Sequence, residues 1–195
     1  MKFNDYFNSI PILETDNLIL RSFSRKDIDE YLIWAFTPEV QRYMGNPLLD
    51  YSSEKNITNW LNNINGRLLK SKTVFTWCVE YKTDKKVIGR VDLGGFIKKS
   101  TAELAYHFSK DYWNMGFAKE GIAEVVRFAI EDLKLHRIQA LVMPDNIYSI
   151  KALKRAGFTE EGLLRKYPFG SEFHDAVMLS VITEHNMGIN NSRAK

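Results

Sequence analysis

The feature that most constrains this chain is a change of period around Gly116. Upstream, Thr101–Phe108 alternates: Ala102, Leu104, Tyr106 and Phe108 share one side of an extended segment, and Glu103, Ala105 and His107 take the other. Downstream, Ala118, Ile122, Val125, Ala129 and Leu133 recur at three- and four-residue steps, the stripe of an amphipathic helix. Between them lies YWNMGFAKE, residues 112–120. Gly116 lets the backbone turn tightly and the small Ala118 allows close approach. The first-turn N–H groups of the helix, with the positive end of its dipole, make an anion site whose natural occupant is a pyrophosphate. The bland alternative is a plain strand-to-helix turn. Neither G-x-G-x-x-G nor G-x-x-x-x-G-K-[ST] occurs, which disfavours dinucleotide and P-loop readings.

Around this junction the pattern predicts one mixed layer of helices and strands. Residues 18–23 alternate as a strand, Ser24 caps a helix over 25–35 with Asp27 at the capping-box position, and Pro38 starts a short helix. Ser52 or Ser53 caps a third helix reaching about Leu69. Val74–Tyr81 and residues 87–96 read as strands, followed after the long helix by a strand over 138–143 and a helix over 149–156. Residues 158–167 and 173–182 form a closing hairpin. Residues 1–185 are expected to be one domain, with a polar, frayed tail over 186–195.

Composition excludes several classes. A net charge of +3 with interspersed signs argues for no nucleic-acid partner, and no apolar run approaches a membrane span. The single cysteine, Cys78, permits no intrachain disulfide and fits a reducing, cytoplasmic setting. Its strand pattern predicts an inert core thiol. The four histidines are too scattered for a metal site, so none is expected.

A second constellation follows the 138–143 strand: Asn146, Ser149, Leu153 and Gly157-Phe158. Asn146 lies just past a strand end, where open α/β sheets bind ligands, and Ser149 and Leu153 share a helix face. Taken singly, Asn146 and Ser149 read as ordinary cap residues. Together with Gly116-Phe117-Ala118, this spacing resembles the GNAT acetyltransferase superfamily, and more narrowly its RimJ/RimL-like branch of ribosomal-protein-alanine acetyltransferases. The likeness runs over residues 14–182 and includes Val87-Ile88-Gly89, Glu103-Leu104-Ala105-Tyr106 and Trp113.

The resemblance implies an α+β fold with a central, mostly antiparallel twisted sheet of about seven strands and helices on both faces. It also implies acetyl-CoA as donor. Backbone amides of Asn114, Met115, Gly116, Phe117, Ala118 and Lys119 would hold the pyrophosphate, with Asn146 nearby, and Phe108 and Ser109 would pair with the pantetheine arm. Trp113 replaces the Gln or Arg that opens the general cofactor loop, as is usual in this branch. Where many members carry a general-acid Tyr, this chain has Leu153, and Ser149 is the substitute implied near the thioester sulfur.

Glu103, mid-strand opposite the apolar row, is the candidate base, acting through water. Its bland reading is a surface carboxylate. Trp34, Phe36, Tyr43 and Met44 fall where the branch forms its acceptor wall, though an aromatic cluster is as readily core. Asp92 is a candidate for holding a cationic acceptor, or a hairpin-end carboxylate. Three functions stay open: acetyl transfer to a protein N-terminal α-amine, transfer to a small amine (amino acid, polyamine, amino sugar or antibiotic), or a CoA-binding module without catalysis. A monomer or homodimer is expected.

Overall fold

A computed structural model describes residues 3–44, 53–169 and 172–183; the frayed tail expected from Asn186 lies outside the described residues. The first described element is a short 3-10 helix, Phe3–Asn8, kinked at Phe7. Strands β1 (Leu13–Glu14) and β2 (Leu18–Arg21) follow, then helices α1 (Arg25–Ala35), α2 (Pro38–Gln41) and α3 (Glu54–Asn62). A π-helical turn, Asn63–Arg67, and short α4 (Leu68–Lys70) lead into strands β3 (Val74–Tyr81), β4 (Lys86–Ile97) and β5 (Thr101–Phe108). Helix α5 (Phe117–Arg127), strand β6 (Arg137–Val142), helix α6 (Ile147–Arg155) and the hairpin β7 (Thr159–Phe169) with β8 (Glu172–Ile182) complete it.

All eight strands form one sheet in the order β1-β2-β3-β4-β5-β6-β8-β7. Every pairing is antiparallel except β5 with β6. This is one strand more than the sequence pattern predicts, because the two-residue β1 is too short to carry a period. Tertiary contacts hold it in place: Phe7 stacks on Phe75 at 4.3 Å, and Trp77 Nε1 donates to Pro11 O at 2.8 Å.

The sheet is covered on both faces, and alternation sorts its side chains between two cores. Phe75, Trp77 and Val79 of β3 enter the large core with Ile122 and Val125 of α5, Ala129 of the π-helical turn that follows it, Leu153 of α6 and Ile138 of β6. Cys78, from the same strand, enters the smaller core with Ile28, Tyr31 and Trp34 of α1 and Ile57 of α3. Burial pushes the Cys78 thiol well above its ordinary range, as expected of an inert core cysteine. Among the described residues no helix is long and apolar enough to cross a membrane.

One local fit positions the site. A Cβ at Gly89 would come within 2.6 Å of the Phe108 ring, and one at Gly121 of α5 within 3.6 Å of it. Phe108 is thus wedged between β4 and α5, which fixes the helix against the end of β5.

Candidate active site

Strands β5 and β6 separate. Their parallel pairing covers only Thr101↔Arg137, Ala102↔Ile138 and Glu103↔Gln139. On its other edge β5 stays paired with β4 from Glu103 to Phe108, and Ser109 N donates to Ile88 O at 2.8 Å. Alternation along that ladder turns the main-chain groups of Leu104, Tyr106 and Phe108 toward the side β6 has left. Among the described residues no strand pairs with that edge beyond Glu103.

The start of α5 stands beside this gap. Asn114 and Gly116 both have left-handed backbones, at φ 63° and 90°, so the chain reverses within two residues. Gly116 is the N-cap and supplies no side-chain cap, and the first helical bond runs from Glu120 N to Gly116 O. No intrahelical carbonyl therefore reaches the amides of Phe117, Ala118 and Lys119. A Cβ at Gly116 would meet nothing within 4 Å, so space opens in front of them. Glu120 anchors this turn by accepting from Thr15 Oγ1, Asn17 N at 2.8 Å and Asn17 Nδ2 at 3.0 Å. Burial alone would raise its pKa, but these donors and the Lys82 charge together lower it. Trp113 closes the loop, its Nε1 donating to Phe108 O at 2.8 Å. With that carbonyl and the Ser109 amide engaged by the protein, the open stretch of β5 centres on Leu104 and Tyr106, upstream of the pair the sequence singles out.

Helix α6 brings the other wall. Asn146 is its N-cap, and Asn146 Oδ1 accepts from Ser149 N at 3.2 Å. The Ser149 hydroxyl meets Tyr106 Oη across the gap at 2.8 Å. Burial pushes the Tyr106 phenol up to about 12, against a smaller lowering by Ser149. Leu153 is fully buried in the large core. The position that many acetyltransferases give to a tyrosine acid is here part of the packing. Tyr43, just past α2, reaches this wall, its hydroxyl 3.4 Å from Asp145 O.

The opposite face of the sheet supplies the remaining candidates. Glu103 lies opposite Gly94, and no hydrogen bond or ion pair joins its side chain to a described residue. Asp92 is held by Arg90 Nε at 2.9 Å. Trp34 is 8% exposed, donates Nε1–H to Val87 O at 2.8 Å and belongs to the smaller core. Its ring lies 5.7 Å from His107, whose Nε2 bonds Tyr31 Oη at 3.0 Å. Burial, with the Arg90 charge second, pushes the His107 imidazole down to about 3, so it is neutral at physiological pH. Among the described residues no cluster of His, Cys, Asp and Glu is arranged to hold a metal ion.

Residues 17–159 match the acetyltransferase (GNAT) domain family. The chain belongs to that family. It is an N-acetyltransferase of the GNAT type, and the family uses acetyl-CoA as donor. An uncharacterised N-acetyltransferase, YoaA of Bacillus subtilis, is 34% identical over 160 residues, covering 82% of this chain and 89% of YoaA. The ribosomal-protein-S5-alanine acetyltransferase of Vibrio fischeri shares the fold at a TM-score of 0.75 and 20% identity, covering 90% of this chain and 98% of that one. A spermidine N-acetyltransferase of Vibrio cholerae, in complex with CoA and spermine, does so at 0.71 and 21%, covering 86% and 96%.

Sequence reasoning missed four contributors. Tyr106 was visible as a tyrosine in an otherwise apolar row, a hydroxyl that needs a partner. Glu120 stood inside the loop motif without a role. Arg90 and His107, which surround Asp92 and Tyr31, had no local signal, because strand pairing alone brings them together.

Proposed function

We propose that this N-acetyltransferase transfers the acetyl group of acetyl-CoA to a protein N-terminal α-amine, by direct attack in a ternary complex. The observation that carries the cofactor half is the adjacency of two unsatisfied hydrogen-bonding surfaces, the first turn of α5 and the edge of β5 beyond Glu103. Oxyanions of a pyrophosphate suit the first, and the amides of a pantetheine arm suit the second. The residues holding the donor would be Asn114 to Lys119 through their amides, with Asn146 and Ser149 at the opposite lip. Bound there, acetyl-CoA supplies an acetyl group activated as a thioester.

The chain's own groups handle the protons. Glu103, through water, accepts the proton the amine loses as its nitrogen bonds the carbonyl carbon. Ser149 donates its hydroxyl hydrogen to the departing sulfur as the C–S bond breaks, and solvent restores it. No metal enters this scheme.

The acceptor assignment rests on how little basicity one carboxylate supplies. An α-amine with a pKa of about 7.7 to 8.0 is roughly 10% neutral at pH 7, whereas a lysine near 10.4 is about 0.04% neutral. That difference is worth on the order of 3 kcal/mol. A lone carboxylate such as Glu103 suits the easier proton. The enclosed rings of Trp34, Tyr31 and Trp60 beside Asp92 favour a second reading, a small cationic amine in a closed pocket. In that reading Trp34, Tyr43 and Asp92 line the acceptor site.

Thiol release from acetyl-CoA, measured against peptides with Ala, Ser or Met N-termini, their N-blocked forms, free amino acids, spermidine and an aminoglycoside, separates the two. Turnover on a free peptide and none on its blocked form is expected. Turnover on small amines alone would replace the first reading by the second.

A further inference from the structure

The mechanism above uses Ser149 and leaves Tyr106 without a task, although their hydroxyls are 2.8 Å apart and the residues are 43 positions apart in sequence. Tyr106 follows Leu104 and precedes Phe108 on the apolar side of β5, where a phenylalanine would pack as well. The hydroxyl is the one feature a phenylalanine lacks, and among the described residues it reaches only Ser149: Oγ at 2.8 Å and the carbonyl O at 3.3 Å. Asn146 Oδ1 holds the Ser149 amide from the other side. The serine is therefore gripped at its main chain and at its oxygen.

We propose that Tyr106 is a positioning residue for Ser149, its phenol donating to Oγ so that the serine's single hydrogen is left pointing into the gap between β5 and β6. The direction of the bond follows from acidity. A phenol is a stronger hydrogen-bond donor than an aliphatic alcohol, and its one hydrogen goes to the nearer acceptor, Oγ at 2.8 Å, ahead of the carbonyl O at 3.3 Å, so the phenol gives and the serine oxygen receives. Burial raises the phenol's pKa, keeping that hydrogen in place throughout the working pH range. A serine whose oxygen is so occupied has one use for its own hydrogen, and it faces the edge of β5 where the thioester sulfur is assigned. Without the phenol, the same hydrogen can turn to any neighbouring acceptor. The inference rests on the assignment of Ser149 to the sulfur, and the experiment separates the two.

CoA itself is the probe, so no acceptor need be known. The ultraviolet absorbance of the thiolate, titrated in the complex with CoA, reports the pKa of the bound thiol. A free thiol titrates at about 8.5, and a hydrogen aimed at the sulfur lowers that value. Tyr106→Phe and Ser149→Ala are each expected to raise the bound thiol's pKa by about one half to one pH unit. The double variant is expected to match Ser149→Ala. CoA affinity at pH 6, where the thiol is protonated, should stay within about twofold in Tyr106→Phe, because a positioning role leaves the protonated complex alone. A Ser149→Thr background keeps a hydroxyl, so Tyr106→Phe is expected to act there too.

If Ser149→Ala leaves the titration unchanged, the sulfur assignment falls and the inference with it. If Ser149→Ala raises the value and Tyr106→Phe does not, the positioning role alone falls. Additive shifts in the double variant would also overturn it, since two independent groups would then be at work.

Discussion

On the face covered by α5 and α6, the sheet presents Phe75, Trp77, Leu93, Leu104 and Ile138, all buried and apolar. On the face covered by α1 and α3, the same strands present Thr76, Cys78, Arg90, Asp92 and His107. The first face obtains stability from apolar packing and leaves its polar groups at the rim: the α5 amides, the β5 edge, Tyr106 and Ser149. The second encloses its polar groups and pairs them, Arg21 with Asp27 and Glu80, Arg90 with Asp92, Tyr31 with His107. Unsatisfied groups at an open rim invite a ligand, whereas enclosed pairs hold geometry and leave little for a ligand to satisfy. Glu103 and the buried Thr76 hydroxyl are the exceptions on the second face among the described residues; of the two, Glu103 is the carboxylate, which makes it the candidate base.

This contrast predicts that acid sensitivity belongs to the second face and ligand response to the first. His107 provides the largest effect. The unfolded chain takes up its proton near pH 6.5, while the folded one resists until about 3. Its contribution is thus complete above pH 6.5 and is lost progressively as pH falls from 6.5 towards 3, because the unfolded state binds the extra proton. Between pH 7 and pH 4 the parent should lose about 3 kcal/mol more than His107→Gln in urea unfolding. Equal losses would mean that the imidazole is not held neutral.

Next comes Leu153→Tyr. The sequence alone invites this change as restoration of a missing acid, but Leu153 is sealed in the large core. The variant should lose about 2 kcal/mol by overpacking and gain no turnover. A stable, faster enzyme would show that α6 opens its buried face to the donor.

Gly116→Val should weaken acetyl-CoA about tenfold by calorimetry, equivalent to about 1.4 kcal/mol. The cause is conformational: no atom crowds the position, but its φ of 90° is one a β-branched residue resists. Unchanged affinity would remove the pyrophosphate from the start of α5.

The smallest effect is Asn146→Ala. Loss of the cap bond to Ser149 N should cost about 1 kcal/mol and lower Tm by about 2 to 4 °C. A larger fall in acetyl-CoA affinity than in Tm would make Asn146 a ligand contact as well as a cap.

Local pattern identified β3 and β5 to the residue, since alternation of eight residues against two cores has few competing readings. It also located the start of α5, where the period changes at a glycine. The early 3-10 helix and β1 were illegible because Phe7 and Trp77 hold them through contacts 68 and 66 positions distant. Trp34 shows the same limit. An aromatic in an amphipathic helix looks alike whether it walls a pocket or fills a core, and its bond to Val87 O is made by folding alone. The Tyr106–Ser149 bond shows it within the site itself.

What the sequence by itself determined is the set of longer elements, the family, and the loop whose glycine forces a left-handed turn, because these follow from periods and backbone preferences over a few neighbouring residues. Only the tertiary structure decided where β5 parts from β6, which hydroxyl faces Ser149, and that Leu153 is packing and not chemistry. Those outcomes depend on how separate elements register and approach. Side chains dozens of positions apart acquire partners only when the sheet and its two helical layers close.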